Sequence, residues 1–388
     1  MAGHTKAIAD LSALGASLGR RDVLISILAG GLASALSRGA RANDAGPIKL
    51  GAILPLTGPG AAVGTQQQRG LMFGVEQINK RGGIAGRPLE ITYEDDQGRP
   101  DQAVLSFNKF VDLYHFPLIF SAYSGPTLAM APLATRKEVV LINGGAQSDR
   151  LAKASPYLFN TIPVAGDEIA VLTKYLLENG KKNAAILYEN DAAGTPSRDD
   201  FIKSFTAGGG VITGQEPSAT GQTDYRPALL KLSDTKPDVL FAMLTDGLGA
   251  LAEQLRQMKP DFLVVGTSFF NDPDALKNPG SNGWLHTQVK ISAPPELAAA
   301  FKEKFGVAME FWGTQYANAV FIVAKAIEKV IADGAPITGA NIRKAFFDVK
   351  TFDVMVPAVF TTNTAAMEID IVQTQDGAHH LVKEYKAG

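Results

Sequence analysis

The sequence predicts an α/β protein built as two doubly wound parallel-sheet lobes, and three observations carry that prediction. At 388 residues the chain is too long for one core of ordinary size, because single hydrophobic cores stop growing at roughly 250–300 residues. Short apolar runs alternate with segments of helical period from Ile48 onward, the pattern of a parallel sheet covered by helices. Glycine and proline cluster at the joints between these segments.

The first unit is Ile48 to Asp96. Ile48-Lys49-Leu50-Gly51-Ala52-Ile53-Leu54 reads as a strand, and a turn-rich stretch from Pro55 to Gly64 follows it. A helical pattern then runs over 63–80 through Gly70, Phe73, Gly74 and Ile78. Gly82-Gly83 and Gly86-Arg87-Pro88 make a double turn before a strand at 89–95. Further strands are expected at 117–121 and 138–142, with helices at 100–114, 126–136 and 166–179. A second series opens at Asn183, with strands at 183–188, 210–215, 238–243 and 261–266 and helices at 196–207, 223–233 and 246–257. Pro227 and Pro237 help to mark boundaries, since proline is poorly tolerated inside helices and central strands. An extended passage over 283–291 leads to helices from Pro295 to Phe305 and from Phe311 to Ala332, and the chain is strand-like after Val354.

The first 42 residues read as a removable leader. Arg20-Arg21 precede an apolar run from Val23 to Leu36 that is too short and too rich in Gly, Ala and Ser to span a bilayer. Ala40-Arg41-Ala42 supplies a small-x-small cleavage pattern, which places the cut near Ala42. Gly19-Arg20-Arg21-Asp22-Val23-Leu24 resembles a twin-arginine export signal, and an ordinary secretory signal is the alternative. Lys6, Arg20, Arg21, Arg38 and Arg41 against Asp10 and Asp22 give this segment +3, so the total of −2 becomes −5 for the rest. A mildly acidic body is no footprint for nucleic acid or an anionic membrane. The chain has no cysteine, which excludes disulfides, thiolate metal sites, cysteine nucleophiles and a lipid-bearing cysteine anchor.

Taken together, the wording of Ile48–Asp96 resembles the start of the type I periplasmic binding proteins, the branched-chain amino acid (Leu/Ile/Val) receptors of ABC transporters. The resemblance implies an exported, periplasmic ligand-capture protein that works by hinge closure. It implies an N-terminal lobe of 43–163 plus 291–353 and a C-terminal lobe of 164–290 plus 354–388, joined by three crossovers. Its partner would be an ABC permease in the inner membrane, and a monomer is expected. A ligand sensor serving a separate signalling partner is the rival use of the same fold.

Candidate ligand contacts sit where strands end. Ser121-Ala122-Tyr123-Ser124-Gly125-Pro126-Thr127 opens a helix whose free N–H groups attract a carboxylate, though Ser and Thr there also serve as plain caps. The resemblance puts Ser124 against the ligand carboxylate, beside Tyr123. It likewise assigns Gly145, Ala146 and Gln147 to the ligand, with Gln147 standing where Thr is usual. In the second series the family's covering aromatic is replaced by Ala193, which leaves Tyr188 or Asp191 to compensate. The family's ammonium-binding Glu is replaced by Ser268, so either Asp246 or Asp191 takes that role or the ligand has no ammonium. Thr245 occupies another family position, and Phe269 and Phe270 suit either an apolar ligand body or the core. Phe311-Trp312 is expected as a core pair or as aromatics facing the cleft. Two ligand classes follow: an apolar amino acid, or a carboxylate without an amine such as an aromatic or keto acid. No HExxH, Walker or GxGxxG pattern occurs, and the GxSxG match at Gly15-Ala16-Ser17-Leu18-Gly19 falls in the leader, so neither an enzyme, a cofactor nor a metal is expected.

Overall fold

A computed structural model describes residues 46–385 of the chain. The leader, its cleavage site and the start of the expected N-terminal lobe at 43 lie outside the described residues. The first sheet has five parallel strands in the order β2-β1-β3-β4-β5. These are β1 (Ile48–Leu54), β2 (Leu89–Asp95), β3 (Leu118–Ser121), β4 (Val140–Asn143) and β5 (Leu158–Asn160). Their helices are α1 (Ala61–Lys80), α2 (Pro100–Asp112) and α3 (Ser124–Lys137).

Strand period two sorts the first sheet's side chains between its faces. Ile48, Leu50, Ala52 and Leu54 share one cluster with Leu71 of α1, whereas Ile53 packs with Phe107, Phe110 and Met130 of α2 and α3. Gly51 is required by this packing: a methyl there would lie 2.5 Å from the Phe110 ring. Burial on both faces explains why the strands read as nearly continuous apolar runs.

The second sheet holds seven strands in the order β14-β13-β10-β9-β8-β6-β7. They are β6 (Asn183–Glu189), β7 (Val211–Ser218), β8 (Val239–Met243), β9 (Leu263–Gly266), β10 (Leu285–Val289), β13 (Ile369–Gln375) and β14 (Ala378–Tyr385). β6 to β10 run parallel, and the β13–β14 hairpin adds an antiparallel edge. Its helices include α4 (Ala165–Glu178), α5 (Gly194–Ala207), α6 (Arg226–Asp234) and α7 (Leu248–Met258), followed by the short α8 (Pro273–Leu276). Among the described residues, no helix is long and apolar enough to cross a membrane.

The expected strand and helix series is therefore present, with ends shifted by a few residues. Elements not anticipated as such include β5, β14, α8 and the helix α11 (Gly339–Val349), which follows α9 (Pro295–Phe305) and α10 (Phe311–Ala332). α10 returns to the first sheet, where Tyr316, Val320 and Ile327 join its core. The short antiparallel pair β11 (Thr351–Phe352) and β12 (Ala358–Val359) stays with it, because Phe352 and Phe360 pack edge-on against Phe346 of α11 or against each other. Phe352, Ala358, Phe360 and Ala365 all belong to the first sheet's cluster. Ile369 opens β13 of the second sheet, so the chain leaves the first sheet's cluster between Ala365 and Ile369.

Three segments link the sheets side by side. Asn160 accepts from the Ala365 amide at 2.9 Å and donates to Asn363 at 2.8 Å, and the Lys290 amide donates to Glu368 at 2.9 Å. At this level Ile162, Val289, Phe311 and Trp312 form a small apolar cluster with Val63.

The hairpin is pinned by a histidine pair. His286 on β10 and His379 on β14 stand 3.2 Å apart through Nε2 and Nδ1. Burial holds His286 at about 3 and His379 at about 4, well below the usual imidazole range. Both depressions mean that the unfolded chain takes up protons first as pH falls below about 6.5. Stability from this pair is therefore full above that pH and lost on the way down to about 4. In urea unfolding between pH 7 and pH 4.5, wild type should lose roughly 2 kcal/mol more than His379→Gln; equal losses would refute the assignment.

Candidate functional site

The carboxyl ends of the strands in both sheets face one cleft, the place where open α/β sheets bind ligands. From the first sheet, the loop after β3 delivers Tyr123 and Ser124. From the second, the ends of β6 and β8 deliver Glu189, Asp191, Thr245 and Asp246. These six residues line a cavity of about 470 Å³, with Gly58, Arg99 and Gly125 also on its first-sheet wall. A smaller recess of about 10 Å³ adjoins Tyr123 and Thr245 and is walled by Gln67, Gly145, Phe269 and Trp312.

Tyr123 bridges the two walls. Its hydroxyl donates to Asp246 Oδ1 at 3.0 Å. Its backbone sits at φ 47°, ψ 138°, a conformation that non-glycine residues adopt only at a cost. That geometry turns the ring into the cleft one residue before α3 begins. Ser124 is buried and its Oγ accepts from the Ser148 amide at 3.2 Å. Pro126 has no N–H, so Ser124 and Gly125 present the first amides of α3 beside the cavity.

The second-sheet wall is a cluster of acids. Glu189 Oε2 accepts from the amides of Thr245 at 2.9 Å and Asp246 at 3.4 Å, while its buried Oε1 has no partner. Asp191 Oδ2 accepts from Thr245 Oγ1 at 3.1 Å, and its Oδ1 caps α5 through the Ala193 and Gly194 amides. Burial raises Glu189 to about 7, with Asp191 and Asp246 repelling its charge further. Asp246 is raised by burial and by Asp191, against the Tyr123 hydrogen bond that lowers it. Asp272, which lines the recess, is raised to about 6 by burial. Arg99, across the cavity, is already paired with Asp101 at 2.7 Å.

Several expected contacts are otherwise engaged. Gln147 and Ser268 do not line either cavity; both bind Glu168, a fully buried acid in the first turn of α4. Glu168 Oε2 accepts from the Ser268 amide at 2.8 Å, from Ser268 Oγ at 2.8 Å and from Thr287 Oγ1 at 2.7 Å. Its Oε1 accepts from Gln147 Nε2. Ala146 is turned to Asn143, which accepts its amide at 2.7 Å and donates to its carbonyl at 2.7 Å. Tyr188 lies in the second sheet's core with Arg198 4.6 Å from its ring centroid and bonded to its hydroxyl, so it gives the cavities no cover. Phe269 lines the recess, 6.2 Å from Trp312, whereas Phe270 packs on Trp284 in the core. The structure thus gathers Tyr123, Ser124, Asp191, Thr245 and Asp246 in one cavity and Gly145 and Phe269 in the recess beside it.

Residues missed from sequence are Glu189, Glu168, Asp272 and Gln67. Glu189 could have been noticed as the last residue of a strand, next to the chosen Tyr188. The two acids at the end of β2, Asp95 and Asp96, differ. Asp95 holds the Leu56–Thr57 loop through amide bonds of 2.9 and 3.2 Å, and Asp96 is buried and raised to about 6 by burial. Among the described residues, no group of three or more His, Cys, Asp or Glu side chains is placed to hold a metal ion.

Glu168 ties the loop after β4 to the ends of β9 and β10, so its loss should be costly. Burial raises its carboxyl to about 7, although its hydrogen bonds favour the charged form. Its contribution is therefore greatest at low pH and declines as pH rises through about 7. Glu168→Ala is expected to lower unfolding stability by about 3 kcal/mol, because buried donors lose their acceptor. Glu168→Gln should flatten the fall in stability between pH 5 and 8. An unchanged urea midpoint in the alanine variant would refute this role.

The comparisons with known proteins agree with this geometry. A family model described as periplasmic binding protein matches residues 47–378. The Leu/Ile/Val-binding protein homolog 3 of Brucella melitensis is 27% identical over 344 residues, covering 85% of this chain and 92% of its own. The Leu/Ile/Val-binding protein BraC3 of Rhizobium johnstonii is 30% identical over 275 residues, covering 64% and 74%. Among solved structures, the solute binding protein of an ABC transporter from Rhodopseudomonas palustris BisB5, in complex with 3,4-dihydroxybenzoic acid, has a TM-score of 0.78 at 25% identity, covering 88% and 98%. With strand ends converging on one cleft and a family match over nearly all of the described residues, this chain belongs to the type I periplasmic binding proteins, in the branched-chain amino acid receptor family of ABC-transporter solute-binding proteins.

Proposed function

We propose that the protein captures an ammonium-bearing small molecule, an amino acid with an apolar or aromatic body, for an ABC permease in the inner membrane. The observation that supports this most is the convergence of Glu189, Asp191 and Asp246 on one cavity wall. Three carboxylates in a closing, low-dielectric cleft repel one another, and a ligand cation relieves that repulsion. Asp246 and Asp191 then stand in for the family's acid at the position of Ser268. The ligand carboxylate meets the Ser124 and Gly125 amides at the start of α3, where the helix dipole favours negative charge. The body fills the rest of the outer cavity, on the side of Gly58 and Arg99.

Closure follows from the fold. We take the two sheets with their helices as rigid lobes, the first extending to about residue 163 and over about 291–365, the second filling the rest. Three neighbouring crossings form a hinge, and a ligand touching both walls favours the closed form by its extra contacts there. Capture takes place in the periplasm, as a monomer, after removal of the leader.

One observation favours a second reading. The Rhodopseudomonas palustris relative is in complex with 3,4-dihydroxybenzoic acid, an aromatic acid without an amine. Calorimetric titration with leucine, phenylalanine and 3,4-dihydroxybenzoate separates the two. The amino acids should bind more tightly. Asp246→Asn should weaken them about 100-fold, the scale of breaking a buried ion pair. Because Glu189 must be ionised to attract the ammonium, affinity should rise between pH 5.5 and 8. Tighter binding of the dihydroxy acid, with no effect of Asp246→Asn, would overturn the amino acid reading.

A further inference from the structure

Two side chains, one from each sheet, stand at the junction between the cavity and the recess. Tyr123 and Thr245 line both. The recess, at about 10 Å³, has room for little more than one water. Its walls nevertheless carry buried polar atoms without partners, Gln67 Oε1 and Trp312 Nε1, on side chains only 1% and 2% exposed. An indole N–H and an amide oxygen beside the apolar faces of Phe269 and Trp312 are what the far end of a longer, partly polar ligand would need.

Tyr123 is held in place from several directions. Its hydroxyl is tethered to Asp246 on the opposite wall at 3.0 Å. Its ring lies over two glycines: a methyl at Gly60 would stand 2.5 Å from the hydroxyl, and one at Gly98 would stand 3.4 Å from the ring. Its backbone keeps the φ of 47° that aims the ring into the cleft. A strained residue persists only where its surroundings over-determine it, and such residues cluster at ligand clamps. On the other wall, Ala193 is buried in the second sheet's core and supplies no aromatic cover.

We propose that Tyr123 is the specificity-determining residue of this cleft: its ring shuts the inner recess and confines the ligand to the outer cavity, giving from the first sheet the aromatic cover that Ala193 does not give from the second. The proposal rests on the cleft being the solute site, and not on whether the solute carries an amine. Displacing the ring joins the two spaces and lets a longer ligand reach Gln67 and Trp312.

A thermal-shift and calorimetric panel on the full chain tests it. The probes are alanine, leucine, phenylalanine and tryptophan, with benzoate and 3-phenylpropanoate as acids without an amine. Tyr123→Ala should move the preference within each series toward the bulkier member by at least ten-fold in the ratio of Kd values. Tyr123→Phe, which keeps the ring, should retain the wild-type size order. Gly60→Ala, whose methyl meets the hydroxyl, should displace the ring and shift the preference in the same direction. It also carries the test if Tyr123→Ala does not fold. The same size order in wild type and in the alanine variants, including a panel that stabilises none of them, overturns the proposal. The order of amine-bearing against amine-free probes in wild type reports separately on the ligand class.

Discussion

The constraint on which the rest of this structure depends is that two parallel sheets aim their strand carboxyl ends at one another across three neighbouring crossings. Parallel strands place all their outgoing loops at one edge, so every loop that leaves β3, β4, β6, β8 or β9 enters the same space. The crossings near Asn160, Lys290 and Glu368 are hydrogen-bonded to one another, which keeps those edges opposed. Tyr123 can then reach Asp246, although 123 positions separate them in the chain.

That arrangement concentrates unfavourable electrostatics in the cleft. Glu189, Asp246 and Asp272 are all raised by burial, and neighbouring acids raise them further. A core built only for stability would not gather them, because unpaired buried charge is among the costliest features of a folded protein. Glu168 is a contrast. It is more deeply buried, yet bonded donors surround it, so it acts as a structural tie between the loop holding Gln147 and the strand ends holding Ser268 and Thr287. Buried acids of one kind thus differ by their partners: donors converge on the Glu168 carboxylate, whereas the acids at the cleft wall crowd one another.

The site departs from the amino acid receptors in a coordinated way. Ser268 carries no charge, and the internal Glu168 occupies its hydroxyl and amide. Ala193 carries no ring, and Tyr123 projects one from the other sheet.

Much of this was legible in the sequence. Alternating apolar runs report which faces are buried, since period two or 3.6 follows directly from backbone geometry; that is why Ile48–Asp96 named the fold and why the strand ends marked candidate loops. Tyr123, Ser124, Asp191, Thr245 and Asp246, named from such loops and from the family resemblance, lie together on one cavity. Glu168 and Glu189 were not named, because a polar residue beside a helix start or at a strand's last position has no period to reveal where it points. Phe352 and Phe360 are unreadable for a related reason: apolar residues suit either sheet's core, and only packing against Phe346 places them with the first. The sequence by itself determined the layers, their order and the edge at which ligand is met. Only the tertiary structure decided which acids share a wall, which donors are already engaged and how deep the cleft runs, because those depend on distances between residues that no local pattern connects.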